Sequence, residues 1–362
     1  TAAMAMEAFG YGCRDNGLSL ALATHMWTVQ RPIAEFGTDA QRARWLPAMT
    51  AGRLIGAHAV TEPDAGSDHL AMTTLAEPVD GGYRLTGTKR YITLGPVADL
   101  ALVFATLDPS KGRWGITAFV VETDAPGCTR GPAQEKMGLR TVPMGDLVLE
   151  GCFVPEEHRL GPEGAGASIS SSALGIERTF ILAFQVGAMA RQLEDAIDHA
   201  RNRHQFGQPI GKFQSVSNRI ADMRLALETA RLLLHKVVWM LGEGESVGLE
   251  AALLKLHLSE AFVASSMDAI RIHGGSGYVV ETGVERDLRD AVGGVIYGGT
   301  SDIQRLLGAL CAVGGLAQSA LVQLLGGVTG GGRRRGGGVR RLRRVLGDRE
   351  AAVPIIQITG DT

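Results

Sequence analysis

Cysteine is scarce in this chain: Cys13, Cys128, Cys152 and Cys311 are the only four among 362 residues, and none stands in a CxxC spacing. That argues against a zinc ribbon or a disulfide framework and suits a reducing, cytoplasmic setting. Long apolar runs are also missing; the richest stretch, Ala226 to Leu241, is broken by Glu228, Arg231, His235 and Lys236, so no membrane span is expected. The opening TAAMAMEAFGYG lacks both an initiator Met and a basic stretch leading into an apolar one. It reads as the edge of a fragment, not as a secretory leader. What is present is enough apolar material, 45% of residues, to build the cores of two or three domains. The net charge of -2 hides an uneven distribution: residues 313–362 hold eight Arg against three acids, which leaves 28 bases against 35 acids elsewhere. A body of that sign gives no footprint for nucleic acid.

Apolar residues recur at helical spacing from Met4 to Met49, with breaks at Gly10 to Gly17 and at Gly37-Thr38-Asp39, where Thr38 is suited to cap a helix. After Ile55 come short β-rich runs at Tyr83 to Ile92, Leu100 to Thr106, Ile116 to Val121 and Leu147 to Glu150, separated by turn signals such as Asp80-Gly81-Gly82. The helical period returns beyond Gly166. Val186, Met189, Ala190, Leu193 and Ile197 form one apolar face and Val216, Ile220, Met223, Leu227 and Leu234 another, as in a helical bundle. The βαβ alternation of a dinucleotide-binding parallel sheet is lacking. The expected class is α+β: an N-terminal helical domain (1–55), a middle antiparallel β domain (56–160), a C-terminal four-helix bundle (161–312), and a Gly/Arg-rich tail (313–362) without a periodic face, expected to be disordered. A nucleic-acid or membrane role is the alternative for that tail; a solvated or artefactual segment is preferred.

Five segments stand out: AVTEPDAGSD at Ala59 to Asp68, TGTKRYITLG at Thr86 to Gly95, RNRHQFGQPIGKFQ at Arg201 to Gln214, IHGGSGY at Ile272 to Tyr278 and YGGTSDIQR at Tyr297 to Arg305. Taken singly, their hydroxyls and glycines are ordinary turn chemistry. Taken in order, they resemble the acyl-CoA dehydrogenase family over about residues 4–312. Known members begin with further helices, so the resemblance implies that part of the N-terminal helical domain is missing here.

The resemblance implies FAD as cofactor, with Val60, Thr61, Gly66, Ser67, Tyr91 and Thr93 around the flavin and its ribityl phosphate. The family often has an aromatic at His58 and Trp at Tyr91. It also implies that Arg203, Gln205, Phe206 and Gln214, on and after a helix ending near Gly207, reach a partner subunit's FAD, Arg203 through its guanidinium fork and Phe206 by packing on adenine. Arg271 (Gln in many members), Gly274, Gly275, Thr300 and Asp302 complete the implied cofactor set. A homodimer or homotetramer follows. His273 is read as a packing or hydrogen-bonding residue.

Removing the α-proton of a thioester while a hydride leaves the β-carbon requires a carboxylate on one face of the substrate and the flavin on the other. Most members carry that Glu in YEGT; here Gly298 stands in its place. A minority, including isovaleryl-CoA and long-chain acyl-CoA dehydrogenases, place it on a bundle helix before an Arg, and Leu174 to Phe180 read LGIERTF. Glu177 is therefore the expected base, with Leu174, Ile176 and Phe180 raising its pKa; the alternative is a first-turn helix acid held by the macrodipole. The Gly298 backbone N–H is the expected donor to the thioester carbonyl, with Ser67, Arg178 and Tyr297 as substrate contacts. Glycine at 175 replaces an acid that some members use near the pantetheine, so the carrier is coenzyme A or an acyl carrier protein, and a short or branched acyl group is favoured. The family implies electron-transfer flavoprotein as acceptor. The rivals are a flavin/oxygen-dependent oxidase or hydroxylase of the same fold, a non-catalytic paralogue, and a truncated product that does not fold.

Overall fold

The computed structural model describes residues 1–314, apart from the side chains of 173, 174 and 311–314. All but the first two residues of the Gly/Arg-rich tail therefore lie outside the described residues. The chain opens with α1 (Ala2–Gly12), α2 (Asn16–Ala23), a π-helical segment (Thr24–Gln30), α3 (Arg31–Phe36) and α4 (Asp39–Thr50). Asp15 caps α2 by accepting the Leu18 N–H at 3.1 Å. Thr38 and Gln41 form a reciprocal capping box at α4, each side chain accepting the other's backbone N–H, at 3.2 and 2.9 Å.

Eight strands follow: β1 (Gly56–Ala59), β2 (Leu75–Val79), β3 (Gly82–Thr93), β4 (Leu100–Thr106), β5 (Ile116–Glu122), β6 (Cys128–Arg130), β7 (Met144–Pro155) and β8 (Arg159–Leu160). They form one sheet in the order β6-β7-β3-β2-β4-β5-β8, with β1 alongside β4. Pairing is antiparallel except where β1 and β2 meet β4. Every residue of β4 is buried, as a central strand covered on both faces must be. The parallel β1–β4 pair delivers the chain to the end of β3, where the Thr61 carbonyl accepts the Arg90 N–H at 2.8 Å.

The bundle comprises α5 (Gly166–Phe180), α6 (Phe184–Asn202), a small hairpin of β9 (His204–Gln205) and β10 (Gln208–Pro209), α7 (Gln214–Gly242), α8 (Gly248–His273), the short α9 (Gly275–Tyr278), α10 (Val284–Gly294) and α11 (Ser301–Gly314). α8 lies at the centre, packed by α5, α6, α7, α10 and α11. The helix expected to end near Gly207 ends at Asn202. Arg203 turns extended and the chain reverses through Phe206 and Gly207, both at positive φ. In the HGGSG run, Gly274, at φ 61°, turns the chain between α8 and α9.

α1 crosses α6 so closely that a Cβ on Gly10 would lie 1.9 Å from the Phe184 carbonyl oxygen, and one on Gly187 1.9 Å from that of Glu7. One apolar core consequently runs from Ala3 and Met6 through the sheet to Phe262 of α8. The stretch Gly166–Asn202 is long and apolar enough by composition to cross a bilayer, but 81% of its apolar window is buried inside the protein, as suits a core helix.

Candidate active site

Glu177 lies in the last turn of α5, not in a first turn, so stabilisation of an N-terminal helix acid does not account for it. Glu177 is 8% exposed; Phe180 and Ile181 on the same helix end are buried and Ile176 is half-buried. The side chain of Leu174 lies outside the described ones. Burial pushes the Glu177 carboxyl up; the Arg178 and Lys255 charges pull it partly back. A Cβ on Gly298 would lie 3.7 Å from Glu177 Oε1 and 3.6 Å from Ile181 Cγ2. The two positions thus address one volume: a long side chain at 298 would enter the space that the Glu177 carboxylate occupies.

Among the buried polar atoms without a partner are Arg178 Nε, the Tyr297 hydroxyl, Trp27 Nε1 and, beside the Gly298 turn, Ser301 Oγ and Gln304 Oε1. Buried polar groups in a folded protein are nearly always satisfied, so this cluster is what a polar ligand would complete. The π-helical segment lays Trp27 flat on Phe180, with ring centroids 4.3 Å apart, one turn beyond Glu177. Such segments are frequent at functional sites. Burial pushes the Tyr297 hydroxyl up, so it stands as a proton donor.

On the sheet side, β1 and β3 bring Val60, Thr61, Tyr91 and Thr93 together. Lys89 Nζ reaches Glu62 Oε1 at 2.8 Å and the Val60 carbonyl at 3.3 Å, and Glu62 also accepts both the backbone N–H and the hydroxyl of Thr73 and of Thr74. This pair, almost wholly buried, fixes the loop that carries Gly66 and Ser67. A register shift between Lys89 and Ile92 forms a bulge, and Tyr91, at φ 58°, is turned outward with Arg90 over its ring. His58, pushed down to about 4 by burial, stays neutral with its edge on Phe104. A Cβ on Gly66 would meet nothing within 4 Å, so open space adjoins the backbone there. Arg178 bears on this loop, because its charge helps depress His69 after burial has done most of that work.

The second group of expected cofactor residues gathers elsewhere, at one end of the bundle. His199 of α6 packs on His273 of α8, centroids 4.2 Å apart, so the end of α6 that leads into Arg203, Gln205 and Phe206 meets the end of α8 that carries Arg271 and leads into Gly274 and Gly275. His273 also bonds the Ala269 carbonyl at 2.8 Å, the packing and hydrogen-bonding use expected of it. Phe206 is 93% exposed, and Cβ atoms on Gly274 and Gly275 would meet nothing within 4 Å. Arg271 pairs with Asp268 at 3.2 Å, and Gln214 opens α7. Among the described residues no hydrogen bond or ion pair joins this group to the sheet-side group. Thr300 caps α11 by accepting the Ile303 N–H at 3.2 Å, and Asp302 pairs with Arg305 at 3.0 Å.

Lys255 was not foreseen from the sequence. It is 0% exposed, and its Nζ donates to the carbonyls of Gly294 and Gly299 at 2.7 Å each. The available signal was a lysine on the apolar stripe Ala251, Leu254, Leu258 and Phe262 of a helix. The assembled chemistry is a raised carboxylate beside a left-handed glycine turn, ringed by two buried cations and unpartnered donors, with open glycine backbone on the sheet side.

Residues 1–53, 57–152 and 164–310 match the families described as acyl-CoA dehydrogenase N-terminal, middle and C-terminal domains. L-prolyl-[peptidyl-carrier protein] dehydrogenase of Pseudomonas fluorescens is 45% identical over 303 residues, covering 83% of this chain and 80% of its own. The crystal structure of the prolyl acyl carrier protein oxidase AnaB aligns with a TM-score of 0.84 at 46% identity, covering 85% of this chain and 81% of that one. The structure of PigA with FAD and proline aligns at 0.83 and 39%, covering 85% and 80%.

Proposed function

Because this chain belongs to the acyl-CoA dehydrogenase family, we propose that Glu177 is the base with which it oxidises its acyl thioester, and that the acyl group is prolyl on a carrier protein. The protein is a FAD-dependent oxidoreductase that dehydrogenates acyl thioesters. The observation that carries the Glu177 assignment is the shared volume: the carboxylate stands 3.7 Å from where the Gly298 side chain would begin. The names of the dehydrogenase and the oxidase above support a prolyl thioester, and the PigA structure with FAD and proline supports the prolyl part.

In this reading the α-C–H proton passes to the Glu177 carboxylate, the Cα=Cβ bond forms, and the β-hydrogen leaves with its electron pair. FAD, when bound, supplies the acceptor for that pair. The Gly298 N–H polarises the thioester carbonyl, and Ser67, Arg178 and Tyr297 hold the substrate. Val60, Thr61, Gly66, Ser67, Tyr91 and Thr93 would hold the flavin, and the open backbone at Gly66 and the outward Tyr91 fit such a group. Arg203, Gln205, Phe206, Gln214, Arg271, Gly274, Gly275, Thr300 and Asp302 would hold the adenine and pyrophosphate end. The exposed Phe206 and open glycines suit a second subunit's cofactor, which makes the working form a dimer or tetramer. A cytoplasmic setting agrees with the free Cys13, Cys128 and Cys152.

Electron-transfer flavoprotein is the acceptor the family reading favours. Dioxygen is the second reading, favoured by the oxidase named among the relatives. Anaerobic flavin bleaching by prolyl-carrier and acyl-CoA thioesters tests both levels. The parent should bleach fastest with the prolyl carrier, and Glu177→Gln should slow bleaching at least about a hundredfold. Equal bleaching in the two proteins would remove Glu177 as base. Hydrogen peroxide on readmitting air would make dioxygen the acceptor.

A further inference from the structure

Burying an ammonium is costly, and a lysine with no exposed surface needs a reason. Lys255 makes two hydrogen bonds among the described residues, both 2.7 Å, one to the carbonyl of Gly294 that ends α10 and one to that of Gly299 in the loop after it. Those carbonyls, of Gly294 and Gly299, bracket Gly298, which sits at φ 65° with its N–H in the backbone turn between them. Lys255 Cε lies 3.9 Å, and Glu177 Oε1 3.7 Å, from the point where a Gly298 Cβ would stand. Ammonium and carboxylate therefore flank one glycine without forming a contact ion pair.

We propose that Lys255 is a positioning residue of the active site: it clamps the backbone on both sides of the Gly298 N–H and serves as the fixed counter-charge of the Glu177 carboxylate. The inference rests on Glu177 being the base. The charged groups facing Glu177 are Arg178 on its own helix and Lys255 on α8; those facing Lys255 are Arg178, Glu177 and Glu260. Burial and Arg178 push the Lys255 ammonium down to about 8, so it is charged at neutral pH. Arg178 lies one residue along α5 and bears on the His69 loop, whereas Lys255 bonds the turn that presents the N–H donor; the Gln304 amide also donates to the Gly298 and Gly299 carbonyls, at 3.3 and 3.0 Å, but carries no charge. A lysine that merely cemented α8 to that turn would be replaceable by a neutral donor with no effect on the base.

The experiment follows two readouts against pH. One is anaerobic bleaching by substrate. The other is solvent deuterium exchange at the α-carbon of a 3-thiaacyl thioester, which has an acidic α-proton but no β-C–H hydride to lose. In flavin-loaded Lys255→Gln and Lys255→Met, the exchange midpoint should move up by about one pH unit. Saturated bleaching should slow about tenfold to a hundredfold, with half-saturation little changed. Lys255→Arg, which restores charge but not the clamp geometry, should return the midpoint. An unmoved midpoint in Lys255→Gln overturns the proposal. If the neutral variants do not hold FAD, Lys255→Arg decides: a parental midpoint with bleaching slowed at least about fivefold supports the clamp, and a shifted midpoint despite the retained charge overturns it. Glu177→Gln is run alongside; exchange that survives there removes the base itself, whatever Lys255 does.

Discussion

A carboxylate can be delivered to one point in space from two places on a chain, and the pair Glu177 and Gly298 makes that interchange testable. With 3.7 Å between Glu177 Oε1 and the 298 Cβ position, a side chain grown from 298 reaches the same volume once Glu177 is shortened. Glu177→Gly should abolish α-proton exchange, and adding Gly298→Glu should restore a measurable part of it, at a stability cost of about 1–2 kcal/mol for a side chain at φ 65°. Exchange at the single-variant background in the double variant would show that the volumes differ. A second residue-scale prediction concerns Glu62. Burial alone would push its carboxyl up, but Lys89 and the Thr73 and Thr74 donors hold it at about 2. A depressed carboxyl stabilises the fold above its ordinary 4.5 and loses that contribution as pH falls towards 2. Thermal melts of the parent should drop through that window, and Glu62→Gln should flatten this part of the drop. Lys89→Met, which strands the buried charge, should cost about 3–5 kcal/mol at pH 7. At this scale the sequence exposed the base because an expected Glu was missing and another stood before an Arg. Lys255 was overlooked although it stands on the apolar stripe of α8, because a lysine there ordinarily carries its ammonium out to solvent, and whether it can depends on which helices surround it.

Helices and strands carry their own periods, so the α, β, α order, the β4 run Leu100–Thr106 and the Thr38 cap were all legible. Element ends were less so. α6 stops at Asn202 without a glycine or proline at its boundary, because the chain there is set by the hairpin at Phe206 and Gly207. The parallel β1–β4 pairing was illegible too, since partners 44 residues apart leave no local mark. Close helix crossing is another property that periodicity does not reveal. Gly10 and Gly187 look like weak helix residues, yet each lies against the other helix's backbone. Gly187→Ala should therefore cost more than it gains in helix propensity, about 1–3 kcal/mol by urea unfolding, whereas Gly12→Ala, with nothing within 4 Å, should be neutral or stabilising. Equal effects of the two substitutions would mean that α1 does not dock on α6 as described.

For the whole molecule, the exposed apolar residues are not scattered at random. Leu225, Leu232 and Trp239 recur every seventh residue along the outer side of α7, each more than 60% exposed. Phe206 on the hairpin after α6, and Tyr278 and Val280 at and after α9, are exposed as well, at 93%, 80% and 76%. A heptad stripe on a long helix is suited to packing against a like helix, whereas the second set adjoins the open glycines proposed for a neighbouring subunit's cofactor. The two sets therefore make separable predictions. Leu232→Asp with Trp239→Ser should lower the assembly mass measured by light scattering while leaving FAD bound to what remains. Phe206→Ala should weaken FAD retention on gel filtration without lowering the mass. If instead the α7 variant keeps its mass and Phe206→Ala dissociates the assembly, the subunits meet through the hairpin end and the stripe on α7 serves another purpose.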